Sequence, residues 1–112
     1  MLEKGRRITR GEEFKRVFSK GALVKGEFIS LKVKRTGVGG ARFGFIVGQK
    51  IAKKAASRNL VKRRLRAAVA RLMGKIEPGV DVVLMPSEKI TERSFKEITL
   101  ETEKVFKKAR LL

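Results

Sequence analysis

Apolar residues recur along the chain with two different spacings, and each spacing predicts one kind of element. Near the N-terminus, Phe14, Val17 and Phe18 stand three and four residues apart, so they share one face of a short helix. The stretch TRGE at 9–12 has the pattern of a capping box that would open this helix, and Gly21 suits its end.

Alternating and continuous apolar runs predict the strands. Segment 27–34 alternates: Ile29, Leu31 and Val33 point one way, and Phe28, Ser30, Lys32 and Lys34 the other. Segment 42–50 does the same: Phe43, Phe45 and Val47 point one way, and Arg42, Gly44, Ile46, Gly48 and Lys50 the other. With the turn GVGG at 37–40 between them, these segments predict an antiparallel hairpin. The continuous apolar run 80–85, closed by Pro86, predicts a buried strand.

Two further helices follow from helical spacing. The first has Ser57 as its expected N-cap and an apolar stripe of Val61, Leu65, Ala68, Val69 and Leu72. A polar flank adjoins this stripe and consists of Asn59, Lys62, Arg63 and Arg66, whereas Arg64 and Arg71 fall on the far side. The capping box SFKE at 94–97 opens the C-terminal helix, whose apolar positions are Phe95, Ile98, Val105, Phe106 and Ala109.

These elements predict an α/β fold of the α+β two-layer type, with helices packed on a small mixed sheet. The expected element order is α-β-β-α-β-α in one domain that spans residues 1–112. A chain of 112 residues is long enough for one modest core and too short for two.

Positive charge is concentrated in the first two thirds of the chain. The net charge is +18, and residues 1–75 carry all of it, with 22 Lys and Arg against 4 Glu. Between Phe28 and Ile76 there are 14 basic residues and no acidic one. A surface that served only solubility would mix both signs, so this distribution predicts a polyanionic partner such as RNA.

Composition excludes most catalytic chemistry by the chain itself. Without His or Cys there is no His base, Cys nucleophile, disulfide or Cys/His metal site. The single aspartate, Asp81, lies inside an apolar strand, so no carboxylate cluster for a two-metal nuclease is visible. We therefore expect no catalytic residue, metal site or cofactor in the protein alone. No apolar run is long enough to span a membrane, and the cytoplasm is the expected compartment.

One stretch of the chain resembles the sequence signature of a known family. The stretch ARFGFIVGQKIAKKAASRNLVKRRLRAA resembles the signature of the protein subunit of bacterial ribonuclease P. The matching positions are Arg42, Gly44, Lys50, Ala55, Arg58, Asn59, Lys62, Arg63 and Arg66. Gln49 departs from the pattern, because the family usually carries a second basic residue there.

The resemblance implies a function and a fold. In this family a catalytic RNA with bound Mg²⁺ removes the 5′ leader of precursor tRNA, and the protein assists as a subunit of the endoribonuclease. The implied partners are the catalytic RNA and precursor tRNA, without DNA or membrane, and the protein is expected to be monomeric. The implied fold is ribosomal-protein-S5-domain-2-like with a left-handed βαβ crossover, against the usual hand of such connections.

The same resemblance divides the candidate site residues into two surfaces. The residues expected to bind the catalytic RNA are Lys53, Lys54, Arg58, Asn59, Lys62, Arg63 and Arg66. The residues expected to bind the leader are Phe14, Phe18, Phe28, Lys32, Arg42 and Lys50. Aromatic rings beside cations suit unpaired bases, and Gly44 and Gly48 would leave room above the sheet. The spacing of Phe14 and Phe18 is also that of core residues, and this alternative stays open.

A second class of function is compatible with the composition. Ribosomal and other structural RNA-binding proteins are often basic α/β domains, but they have no need of an open aromatic groove for a flexible strand. A DNA-binding protein lacks support, because no helix-turn-helix spacing is visible.

Overall fold

The computed structural model describes residues 6–8 and 11–112. The helices and strands are, in chain order, α1 (Gly11–Lys20), β1 (Ala22–Lys25), β2 (Ile29–Arg35), β3 (Arg42–Phe45), α2 (Ala55–Ala70), β4 (Val80–Pro86) and α3 (Phe95–Lys108). Short 3-10 helices, Met73–Lys75 and Glu88–Glu92, flank β4. The predicted order is confirmed with one more strand, β1, which the sequence reasoning missed.

The sheet has the strand order β1-β2-β4-β3, so the apolar strand β4 lies inside it. β4 pairs antiparallel with β2 and parallel with β3. The predicted hairpin between segments 27–34 and 42–50 is therefore wrong. Six of the seven β4 residues are buried, and a strand of this kind gains most by lying between two neighbours. The α2 helix connects the parallel pair β3 and β4, and the handedness of this crossover stays a prediction.

The main core lies between one face of the sheet and the helices α2 and α3. Phe43 of β3 and Phe106 of α3 are fully buried, and their stacked rings lie 6.1 Å apart. The predicted stripe of α2 is confirmed, because each of its five members is buried. The predicted core positions of α3 are likewise confirmed, with Ile98, Val105 and Phe106 buried and Phe95 and Ala109 packed against the core.

Helix α1 covers part of the opposite face of the sheet. Val17 of α1 packs with Val83 of β4 and with Ile8 in a second, smaller cluster. Gly21 follows the last residue of α1 as predicted, and a Cβ there would lie 2.4 Å from the Val17 carbonyl oxygen. Thr9 of the predicted capping box lies outside the described residues.

Helix α3 is fixed at its start and along its buried side. The predicted capping box is confirmed: the Ser94 hydroxyl accepts the Glu97 N–H, and the Glu97 carboxylate accepts the Ser94 N–H. The buried carboxylate of Glu101 accepts the backbone N–H of Phe28 at 2.8 Å and that of Ile29 at 3.3 Å. This carboxylate joins α3 to the start of β2. None of the helices in the described part of the chain is both long and apolar enough to cross a membrane.

Candidate nucleic-acid interface

The polar flank of α2 lies beside the stripe that anchors this helix. Asn59 and Arg63 are exposed, and Lys62 and Arg66 are half-buried along the edge of the core. Because the stripe anchors the helix in the core, the backbone positions of these four residues are fixed relative to β3. No ion pair in the described part of the chain involves the three cations of this flank. Their charges remain available for an anionic partner.

The loop before α2 is organised by Arg58. Its Nη1 donates to the carbonyl oxygens of Ala52 at 3.1 Å and Lys53 at 2.7 Å. The helix begins at Ala55 with Lys54 as N-cap, so the prediction of Ser57 as N-cap is wrong. Lys53 and Lys54 are exposed. Arg58 therefore shapes the loop that carries these two lysines, in addition to any contact with RNA.

A second basic region lies on the face of the sheet that α1 partly covers, which we call the α1 face. Strand register places Lys32 opposite Val83 and Lys34 opposite Asp81, and Val83 packs with α1. Directly paired residues share a face, so these lysines lie on the α1 face. Leu23 of β1 pairs with Lys32 and is 48% exposed. Together they give this face an accessible apolar and cationic strip.

Arg42 also lies on the α1 face, but its charge is already neutralised. Its Nε donates to Asp81 Oδ1 at 3.0 Å, its Nη2 donates to Asp81 Oδ2 at 2.8 Å, and its Nη1 binds Glu13 of α1. The hydrogen bonds to Asp81, and then that to Glu13, raise the pKa of Arg42 above its ordinary value. Arg42 therefore has a structural role, because two carboxylates bind its guanidinium, and its expected role as a leader contact stays a prediction.

The two phenylalanines of α1 differ in their surroundings. Phe14 is half-buried, and its ring fills the space above Gly44, where a Cβ would lie 2.5 Å from the ring carbon Cε1. The expected room above Gly44 is thus occupied by Phe14. Phe18 is 37% exposed. Of the two rings, Phe18 is the one whose surface is open to a ligand, and Phe14 combines a packing role with partial exposure.

Phe28 does not belong to the α1 face. It is buried in the main core, and the guanidinium carbon of Arg93 lies 5.2 Å from the centre of its ring. Strand β2 begins only at Ile29, so the alternation that pointed Phe28 to the side of Lys32 does not extend to it. The expected orientation of Phe28 beside Lys32 is therefore wrong, and its role as a leader contact stays a prediction.

Lys50 lies away from the strand on which it was expected. β3 ends at Phe45, and residues 49–51 form a turn in which Lys50 and Gln49 are exposed. Alternation along 42–50 therefore does not place Lys50 beside Arg42. Lys50 remains an accessible cation between β3 and the loop that precedes α2.

The segment before α1 contributes a feature that the sequence reasoning missed. The Ile8 N–H donates to the Phe43 carbonyl at 2.7 Å, and Arg7 pairs with Phe43 along the outer edge of β3. This pairing closes a groove of about 120 Å³, the edge groove, which is lined by Arg7, Ile8, Phe14, Phe43, Phe45, Lys62 and Arg66. The Arg42–Asp81 pair was also missed, although a lone aspartate in an apolar strand signals a cationic partner.

Comparisons with known proteins agree with this fold. The sequence model of the family described as Ribonuclease P matches residues 2–110. A ribonuclease P protein component from Syntrophomonas wolfei is 35% identical over 99% of this chain and 92% of its own length. The protein of the same name from Caldanaerobacter subterraneus is 36% identical over 99% of this chain and 95% of its own length.

Solved structures give the same result. The RNase P protein from Thermotoga maritima superposes with a TM-score of 0.83 and 26% identity, over 91% of this chain and 96% of that chain. The RNase P protein from Staphylococcus aureus superposes with a TM-score of 0.87 over 96% of this chain and 98% of that chain. At 23% identity the second comparison shows the fold alone. None of these five comparisons favours the alternative of a ribosomal protein.

Proposed function

Because this chain belongs to the ribonuclease P protein family, we propose that it binds a catalytic RNA and helps it remove the 5′ leader of precursor tRNA. In this proposal the RNA, with its bound Mg²⁺, hydrolyses the phosphodiester bond, and the protein holds the RNA and the leader. The working location is the cytoplasm, and the protein enters the complex as a monomer.

The observation that carries the proposal is the unpaired charge of α2. Arg35, Arg42 and Arg93 of other elements bind carboxylates, whereas Lys62, Arg63 and Arg66 bind none among the described residues. Guanidinium and ammonium groups held at one surface without carboxylates are suited to RNA phosphates. The loop lysines Lys53 and Lys54 extend this surface, and Arg58 and Asn59 stand at its end in the first turns of α2.

The leader is proposed to lie along the α1 face. Leu23 offers exposed apolar surface there, with the cation of Lys32 beside it, and Phe18 offers an exposed ring on α1, the helix that partly covers this face. Unpaired bases stack on such side chains while nearby cations neutralise their phosphates. Phe14 stands at the covered end of this face, above Gly44. Lys50 is retained as an accessible cation near the end of β3.

Two carboxylates of the α1 face, both among the described residues, are already engaged. Glu13 and Asp81 both bind the guanidinium of Arg42. A carboxylate that is engaged in this way is a poor ligand for Mg²⁺, which requires several free oxygen donors in octahedral arrangement. We therefore assign the metal ions of the reaction to the RNA.

Reconstitution tests the proposed function directly. The purified protein is mixed with a bacterial ribonuclease P RNA at a Mg²⁺ concentration too low for the RNA alone, and cleavage of precursor tRNA is followed. We expect leader removal to be restored. Absence of cleavage together with absence of RNA binding would refute the proposal.

The leader surface is tested by Phe18→Ala. Loss of one stacked base costs about 1–3 kcal/mol, so the assembled complex should bind precursor tRNA more weakly while mature tRNA binds as before. Leu100→Ala on α3 is the matched control, because Leu100 is also an exposed apolar residue. A precursor-to-mature affinity ratio that is equal in the two variants would remove Phe18 from the leader surface.

A further inference from the structure

Two guanidinium groups in the edge groove have a buried donor without an acceptor. The Nε atoms of Arg7 and Arg66 are inaccessible to solvent, and neither has a hydrogen-bond partner. Within residues 6–8 and 11–112, these two Nε atoms are the buried side-chain nitrogen or oxygen atoms that lack a hydrogen-bond partner. Both residues line the same groove. A buried polar donor without a partner destabilises the protein, so a pair of them in one groove requires an explanation.

The composition of the groove indicates the chemistry of the missing acceptor. Of its seven lining residues, three are cations, Arg7, Lys62 and Arg66, and none is acidic. The remaining four are apolar. A neutral acceptor would leave three positive charges unbalanced in a partly enclosed space, whereas an anion with several oxygens balances them and accepts the N–H groups that the guanidiniums present to the groove. The covered Nε–H groups gain an acceptor when the two side chains turn toward the bound anion. The groove volume of about 120 Å³ is several times the roughly 30 Å³ that a water molecule occupies, which is enough for a phosphate group.

The two segments that carry these arginines are held in position before any ligand arrives. Backbone pairing with Phe43 at the edge of β3 fixes the segment of Arg7. The guanidinium carbon of Arg66 lies 5.9 Å from the centre of the Phe45 ring, and α2 is anchored by its buried stripe. Segments whose backbone is ordered in advance lose less conformational entropy when they bind.

We propose that the edge groove is a binding site for one RNA phosphodiester, in which Arg7 acts together with Lys62 and Arg66. This proposal rests on the proposed function, because it takes RNA as the ligand. It extends the RNA-binding surface from α2 across the edge of β3 to the segment before α1. The phosphate belongs either to the catalytic RNA or to the leader, and both supply the same chemical group, a phosphodiester.

Inorganic phosphate is the probe for the isolated protein. The Nε–H resonances of the arginines are followed by NMR during a phosphate titration at constant ionic strength. We expect the resonances of Arg7 and Arg66 to shift along one common saturation curve. In Arg7→Lys, which keeps the charge and removes the Nε–H fork, the affinity reported by Arg66 should fall roughly tenfold.

The matched control is Arg6→Lys, the same change at the neighbouring exposed residue, which should leave the curve unchanged. Melting temperatures of both variants establish that they are folded, and Arg66→Lys provides a second variant read through the Arg7 resonance. Different curves for the two arginines, or an unchanged affinity in Arg7→Lys, would overturn the site.

Binding of RNA identifies the source of the phosphate. If the catalytic RNA supplies it, Arg7→Lys weakens assembly more than Arg6→Lys does; if the leader supplies it, only the precursor-to-mature ratio falls. If Arg7→Lys changes neither assembly nor the precursor-to-mature ratio, and the complex cleaves normally, this site is overturned and the proposed function is left intact. If the wild-type protein binds inorganic phosphate but binds neither the catalytic RNA nor precursor tRNA, both the site and the proposed function are overturned.

Discussion

Removal of the Arg42 guanidinium should destabilise the fold, because it leaves Asp81 as a carboxylate without its ion-pair partner. The Asp81 side chain is 9% exposed, and Arg42 supplies it with two hydrogen bonds. Loss of one partner from a buried ion pair costs about 3–5 kcal/mol. The Arg42 side chain is 34% exposed, so water can partly replace it, and we expect roughly 2–3 kcal/mol for Arg42→Met.

A double-mutant cycle isolates this interaction. Asp81→Val in the Arg42→Met background removes the uncompensated carboxylate and should restore much of the stability, because replacing both partners by apolar groups is often nearly neutral. Urea unfolding at fixed sulfate gives the free energies. The melting temperature of Arg42→Met should fall by about 8–15 °C for a domain of this size. Arg16→Met, at an exposed position of α1, controls for the loss of one positive charge.

The same variants distinguish a structural arginine from a leader contact. If Arg42 is structural, the Arg42→Met/Asp81→Val protein should bind precursor and mature tRNA in the wild-type ratio. A destabilisation by Arg42→Met of less than about 1 kcal/mol, which is typical of exposed ion pairs, would contradict our reasoning. Arg42 would then be a leader contact rather than a structural arginine.

Three further changes test other parts of the structure. Replacing Arg63 and Arg66 with Ala should weaken assembly with the catalytic RNA and lower the salt dependence by about 0.7–0.9 in slope per lost phosphate contact; an unchanged slope in filter binding would argue against this flank. Gly44→Ala places a Cβ 2.5 Å from the Phe14 ring and should cost about 1–3 kcal/mol in urea unfolding, whereas Gly48→Ala, with open space around it, should not. The Ser94 N–H and then Arg93 lower the pKa of Glu97 below 4.5, so its contribution to stability is present above about pH 4.5 and is lost as the pH falls through the lowered pKa. Glu97→Gln should remove this part of the acid dependence of the melting temperature, and an identical pH profile would contradict it.

Local patterns determined much of this protein in advance. The spacing of Val61, Leu65 and Val69 identified the buried stripe of α2, and the SFKE box located the start of α3. Both signals depend on residues within one or two helical turns of each other, so they can be recognised without knowledge of the rest of the chain. The basic flank of α2 followed from the same periodicity, because a helix that buries one stripe must expose the others.

Tertiary structure alone decided which strands pair and which charges are occupied. The alternation in β2 and β3 was visible in the sequence, but β4, more than 30 residues later, separates them. Similarly, Arg42 and Lys32 both look like free cations on a strand, and only the approach of Asp81 and Glu13 makes Arg42 structural. Arg7 becomes a candidate phosphate-binding residue because backbone pairing at the edge of β3 places it in the groove that Arg66 also lines. Strand partners and ion pairs are set by contacts between distant segments, and the periodicity of a single segment carries no record of them.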